Sequence, residues 1–163
     1  MRKHKLFIGI FILVLVLLIG AIWRICNPGN GTVSQISLSQ RDGLRLEVKP
    51  IDYEKKLVTL RLINESDDDI DYRSWEWAMD RKKGSEWYHI KKISPYSQID
   101  AFYRESESIR AGETKEHSYK WSYLYGNVGY GTYRIYFELL NEDGNTDYIG
   151  AEFAIDGWKE LFS

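Results

Sequence analysis

Period-two alternation organises most of this chain. Leu44, Leu46 and Val48 share one face of an extended segment, while Arg45, Glu47 and Lys49 take the other. Val58, Leu60 and Leu62 repeat the pattern against Thr59 and Arg61. Near the C-terminus Tyr133, Ile135, Phe137 and Leu139 do so again, as do Ala151, Phe153 and Ile155. Successive side chains of a strand point to opposite faces, so each run predicts a strand with one face on a core and one in water. Turn formers punctuate the runs at Asn64 to Asp69, Lys83-Gly84-Ser85, Ala111-Gly112-Glu113 and Asn141 to Asn145. Less regular strands are expected around Tyr72 to Met79, Trp87 to Lys92 and Lys115 to Trp121. No internal segment sustains a helical period. Seven or eight strands with turns between them describe an all-β, antiparallel sandwich or barrel. Ser94 to Arg110, with Pro95 and little alternation, reads as a crossover loop with a helical turn near Phe102.

The alternation is absent from the first 26 residues. Arg2, Lys3 and Lys5 precede an unbroken apolar run from Leu6 to Trp23, and Arg24 closes it. Eighteen helical residues span roughly 27 Å, close to the ~30 Å hydrocarbon core of a bilayer. A basic flank before such a run holds the N-terminus in the cytoplasm and sends the remaining chain to the other side. Three readings share this run. A signal anchor keeps it as a single transmembrane helix. A cleavable signal peptide would be cut after Ala21, although Ile19 is bulky for such a site. A lipoprotein would carry lipid on Cys26, although Arg24 and Ile25 stand where small residues are wanted. The anchor is the favoured reading. It divides the chain into a basic flank and membrane segment (1–26), a flexible linker over the turn formers Asn27 to Thr32, and an extracytoplasmic β domain (33–163).

Charge narrows the partners. The chain has 22 basic and 24 acidic side chains, and four of the basic ones lie in the first 26 residues, so the remainder carries 18 against 24, a balance of −6. That balance argues against nucleic acid, which demands a basic face, and equally against anionic lipid headgroups. With one cysteine there is no intrachain disulfide, so packing alone must hold the fold, and six Trp and twelve Tyr are available for it.

The most specific local signature is Gly131-Thr132-Tyr133-Arg134-Ile135, entering a strand after Tyr125-Gly126. A tyrosine two residues after a glycine at a strand start suits a tyrosine corner, whose hydroxyl reaches back to upstream backbone. Tyr133 shares its face with Ile135 and Phe137, and Tyr136, on the opposite face, is expected to matter far less. The stretch from Ile109 to Ile135 resembles bacterial Ig-like domains of exported Gram-positive proteins. The resemblance lies in Ile109, Ala111-Gly112-Glu113-Thr114, Trp121, Tyr125-Gly126 and Gly131 to Ile135. Upstream, Val58 to Asn64 resembles that family's strand ending in N-x-S, and Trp87-Tyr88 its W-Y after a hairpin. It covers roughly residues 45–155 and departs around Tyr72 to Trp77, where Arg73-Ser74 replaces a glycine that often follows the tyrosine. The resemblance implies an immunoglobulin-like sandwich with no known catalytic residues and no defined ligand.

Chemistry read from the residues is sparse. His89 and His117 have no second His or Cys at ligand spacing, so no metal site is expected from them. The acidic run Glu65 to Asp71 offers hard oxygen ligands but lacks the glycine and distal glutamate of a calcium loop, and reads as a solvated turn. There is no Gly-x-Ser-x-Gly elbow, and Glu105 and Glu107 lie in the irregular loop. The chain is therefore expected to be no enzyme and to need no cofactor. Five tryptophans beyond residue 26 exceed the need of one core. Exposed rings would anchor a protein partner or stack on wall sugars. Tyr123, Tyr125 and Tyr130, flanking glycines, are the first candidates for a contact surface. The function expected is a membrane-anchored interaction module recognising a protein partner at the cell envelope. A module binding carbohydrate or wall polymer is the alternative.

Overall fold

The computed structural model of the chain describes residues 12–20, 30–93, 105–141 and 144–157. Among the described residues nine strands build two antiparallel sheets: β1 (Asn30–Val33), β2 (Leu44–Val48), β3 (Leu57–Asn64), β4 (Ile70–Lys83), β5 (Glu86–Ile90), β6 (Glu107–Ile109), β7 (Thr114–Lys120), β8 (Gly131–Leu140) and β9 (Thr146–Ile155). A six-stranded sheet runs β1-β5-β4-β8-β9, with β6 paired to the start of β4. The smaller sheet runs β2-β3-β7. One helix, α1, covers residues 12–20, and a second, α2 (Trp121–Tyr125), follows β7.

The core lies between the sheets, where the alternation aims it. Val58, Leu60 and Leu62 of β3 and Tyr133, Ile135, Phe137 and Leu139 of β8 are all fully buried. Trp77 and Met79 of β4 and Phe153 and Ile155 of β9 complete the same cluster. Rings meet edge-on or tilted within it, as aromatic quadrupoles favour: Trp77 lies 5.0 Å from Tyr119 and 5.4 Å from Tyr125.

Several elements depart from the sequence reading, each for a physical reason. The linker expected over Asn27 to Thr32 overlaps a strand, because Asn30 pairs with Ile90 and Val33 with Tyr88. Beyond β1 the chain crosses the outer face of the large sheet as a strap. Ser34 N donates to Trp87 O at 2.8 Å, and Ser39 N to Tyr148 O at 2.7 Å. Gly150 admits this strap: a Cβ there would lie 2.9 Å from Leu38 Cδ2. The strap is why β8 is buried on both faces, and why Tyr136 is only 4% exposed. Trp75 and Trp77 lie where β4 bulges, with Arg73 paired to Glu138 and Ala78 to Tyr136, five steps along β4 against two along β8. This is the stretch whose alternation is weak. Of the expected crossover, Glu107–Ile109 forms β6, and the turn expected near Phe102 lies outside the described residues.

Among the described residues no helix is long and apolar enough to cross a membrane. The nine residues of α1 measure about 14 Å. The rest of the expected span, Leu6 to Phe11 and Ala21 to Trp23, lies outside the described residues.

Candidate functional site

The three tyrosines proposed as one contact surface are set apart by the fold. All follow β7, where backbone hydrogen bonds fix the chain: Trp121 N donates to Lys56 O at 3.1 Å, and Ile93 N donates to Leu124 O at 2.8 Å. Tyr125 is a correction to the sequence reading. It is 5% exposed, its hydroxyl accepts a hydrogen bond from Met79 N at 3.1 Å, and burial drives its pKa upward. Its position on a five-residue helix turns it inward with Trp121 and Leu124. Tyr123, on the outward side of the same helix, is 62% exposed, and Tyr130 is 48% exposed. Tyr130 sits elsewhere: its carbonyl accepts from Arg81 at 2.8 Å, and its ring lies over Gly157, whose added Cβ would come 2.8 Å from Cε2.

The loop ending in Tyr130 is held from below by Tyr133. That ring is fully buried against Phe153, centroids 5.9 Å apart. Its hydroxyl donates to Val128 O and to Gly129 O at 2.8 Å. A strand-start tyrosine tied to carbonyls four and five residues upstream has the geometry of a tyrosine corner. Burial pushes the Tyr133 pKa up to about 12, against the opposing charge of Arg81. Gly131, at φ 154°, occupies backbone space that favours glycine, and a Cβ there would crowd Arg81 Nε at 3.2 Å.

A second cluster escaped the sequence reading. Asp80 of β4 is fully buried and accepts from Arg134 Nε at 2.9 Å and from Tyr136 Oη at 3.2 Å. His89 Nδ1 lies 2.8 Å from the same carboxylate. Arg134 also donates to Ser34 Oγ at 2.9 Å and Ile36 O at 3.1 Å, so the ion pair fastens the strap to the sheet. The Arg134 guanidinium stacks over Trp87, 4.8 Å from the ring centroid. The available signal was Arg134 between Tyr133 and Ile135 on a mostly apolar strand; Asp80, followed by Arg81, Lys82 and Lys83, gave none.

A third cluster lies beside β6. Ser74 Oγ donates to Glu107 Oε1, Tyr72 Oη donates to Glu107 Oε2 at 3.3 Å, and Tyr72 Oη is hydrogen-bonded to His117 Nε2 at 2.9 Å. Burial lowers the His117 pKa, with Glu107 opposing it. A serine nucleophile needs an imidazole within hydrogen-bond reach. Here the carboxylate holds the serine, and the imidazole is engaged by a tyrosine.

Asn64, which ends β3, is fully buried. Its amide donates to Asp68 O at 2.8 Å and Arg110 O at 3.1 Å, and its carbonyl accepts from Ser66 Oγ at 2.6 Å. This side chain organises the acidic turn that follows it and closes β3 onto the turn after β6. Of the tryptophans, Trp77 and Trp121 are buried, and Trp75 and Trp87 are half-buried.

No curated protein matches the chain in a similarity search. A family profile does: that of the bacterial Ig-like domain matches residues 40–154, from just past the strap to the end of β9. Two antiparallel sheets over an aromatic core, a strand-start tyrosine clasping its preceding loop and a match across well over half the chain agree. This chain belongs to the bacterial Ig-like domain family.

Proposed function

We propose that the protein is a membrane-anchored, extracytoplasmic interaction module that binds a protein partner at the cell envelope, and that it is not an enzyme. One observation carries the reading: Tyr130 is held at the surface, 48% exposed, by a loop whose carbonyls are clasped from the core by Tyr133. An aromatic side chain on a pre-ordered loop loses little entropy on binding and is the residue type that anchors interfaces. Membership of an Ig-like family favours the same class. The anchor is supported by α1, whose residues 12–19 are apolar and 47–64% exposed. A helix bare and apolar all round belongs in an apolar environment. The basic flank sets its orientation. Among the described residues the exposed rings are Tyr123 on α2 and Tyr130 beyond it, and an exposed planar row of rings would favour the carbohydrate reading instead.

The test places a photo-crosslinking amino acid at Tyr130 of the full chain in living cells. A discrete protein adduct is expected, absent when the same probe replaces Thr114 on the far end of β7. Tyr130→Ser should abolish capture through a probe at neighbouring Asn127 while leaving the thermal midpoint unchanged. Capture that survives Tyr130→Ser would overturn this surface.

A further inference from the structure

The net charge of the exported part conceals a local reversal around α2. Lys120 is the residue before the helix and is exposed, Lys56 gives its carbonyl to Trp121 N, and exposed Lys91 lies two residues from Ile93, which donates to Leu124 O. Several lysines and arginines elsewhere are matched: Lys49 with Glu116, Arg61 with Glu116, Arg73 with Glu138, Lys82 with Glu152. Among the described residues Lys56, Lys91 and Lys120 have no acidic partner within salt-bridge distance. In the turn beside Lys56, Asp52 is occupied by Lys55 at 2.8 Å, leaving Glu54 as its exposed acid. Lys92 is half-buried and interacts electrostatically with Glu76 instead. Lys56 also sits at φ 54°, a left-handed conformation that a glycine would adopt without strain.

Two large exposed apolar side chains lie on the same hydrogen-bonded segments. Ile93 is 66% exposed and Tyr123 on α2 is 62% exposed. The placement relative to the tether is specific. The chain arriving from α1 joins the domain at Asn30, which pairs with Ile90, three residues from Ile93. Residues 21–29, the nine between α1 and β1, reach at most about 30 Å when extended.

We propose that the domain docks on the anionic lipid surface of the membrane that anchors it, through Lys56, Lys91 and Lys120 around Ile93 and Tyr123. The inference rests on the anchor reading above. Ammonium groups are drawn to lipid phosphates, Ile93 enters the headgroup boundary, and a tyrosine ring is suited to that interface. Each lysine near an anionic surface favours docking roughly fivefold, so three supply about two orders of magnitude before the cost of orienting the domain. Within a Debye length of about 10 Å at 0.1 M salt, this local charge outweighs acidic groups on remote faces.

The experiment reconstitutes the full chain in nanodiscs of zwitterionic phosphatidylcholine or of phosphatidylcholine with phosphatidylglycerol, and follows lysine acylation by mass spectrometry. Lys56, Lys91 and Lys120 should be acylated roughly tenfold more slowly in the anionic discs, with Lys83 and Lys115 unchanged. Protection should vanish in high salt and, at the other two lysines, in Lys91→Glu. Carbonate extraction is run on the same chain in vesicles. Retention with acylation in both lipids as fast as in detergent overturns the docking alone. Acylation slowed equally in both lipids relative to detergent overturns the anionic lipid as its cause, and release by carbonate overturns the anchor and the docking with it.

Discussion

Removing one oxygen from Tyr133 separates a locked corner from an ordinary packed ring. Tyr133→Phe keeps the ring against Phe153, so no cavity opens and the hydrophobic contribution is unchanged. What goes is the donor to Val128 O and Gly129 O. Val128 is 2% exposed, so its carbonyl has little access to replacement water. Leaving such an acceptor unsatisfied costs about 1–3 kcal/mol. With a urea slope of roughly 1–3 kcal/mol/M, the midpoint should fall by about 1 M. The assay is urea unfolding of the full chain in mild detergent, followed by tryptophan emission. Tyr53→Phe is the control, since its hydroxyl reaches Ala154 O at 3.3 Å in an exposed setting, and it should cost under about 0.5 kcal/mol. Tyr136→Phe, which strand phase alone marks as mild, should approach the effect of Tyr133→Phe because its hydroxyl donates to buried Asp80. Hydrogen exchange should also quicken at Gly126 to Tyr130 in Tyr133→Phe alone. Equal midpoints for Tyr133→Phe and Tyr53→Phe would refute the clasp.

Other perturbations read different parts of the fold. Leu60→Ala and Phe137→Ala, both at fully buried positions, should each destabilise by roughly 2–5 kcal/mol in the same assay, whereas Arg61→Ala on the exposed face should stay within about 1 kcal/mol. Arg134→Leu strands the buried Asp80 carboxylate and should cost about 3–5 kcal/mol; the Asp80→Leu, Arg134→Leu double variant should recover most of it, and failure to recover would show that Arg134 acts through the strap. Alkali should unfold the domain. Tyr133 titrates from 10.0 in the unfolded chain up to about 12 in the fold, so its neutral form is favoured by folding. That stability is fully present below pH 10 and is lost as pH rises through 12. Burial raises Tyr72, Tyr119, Tyr125 and Tyr136 in the same direction. Tyrosinate absorbance should therefore appear together with loss of the near-ultraviolet dichroism, and ionisation with the fold intact would contradict the burial.

What the sequence discloses follows from the range of the interactions involved. Strands β2, β3, β8 and β9 are legible because each has a dry face, and a dry face imposes period two on its own segment. Tyr133 is legible because its partners lie four and five residues upstream. Strands β1 and β6, with four and three residues, are too short to show a period. The same holds for α2, and so the inward turn of Tyr125 is hidden. Asp80 and Arg134 are 54 positions apart, and only the fold makes them partners. The strap is invisible for the same reason: Ser34 reads as loop until Arg134, 100 residues on, gives it an anchor. Lys56, Lys91 and Lys120 likewise read as scattered charges along three separate segments, and α2 and its backbone bonds gather them.

Protease shaving of intact protoplasts tests the central claim of a tethered extracytoplasmic module most directly. Protease added outside should remove the Ig-like domain and leave a small N-terminal fragment in the membrane, detectable through a tag at Met1. A domain that stays intact until the protoplasts are lysed would contradict the topology. A mature chain beginning near Ile22 would replace the anchor with a cleaved signal.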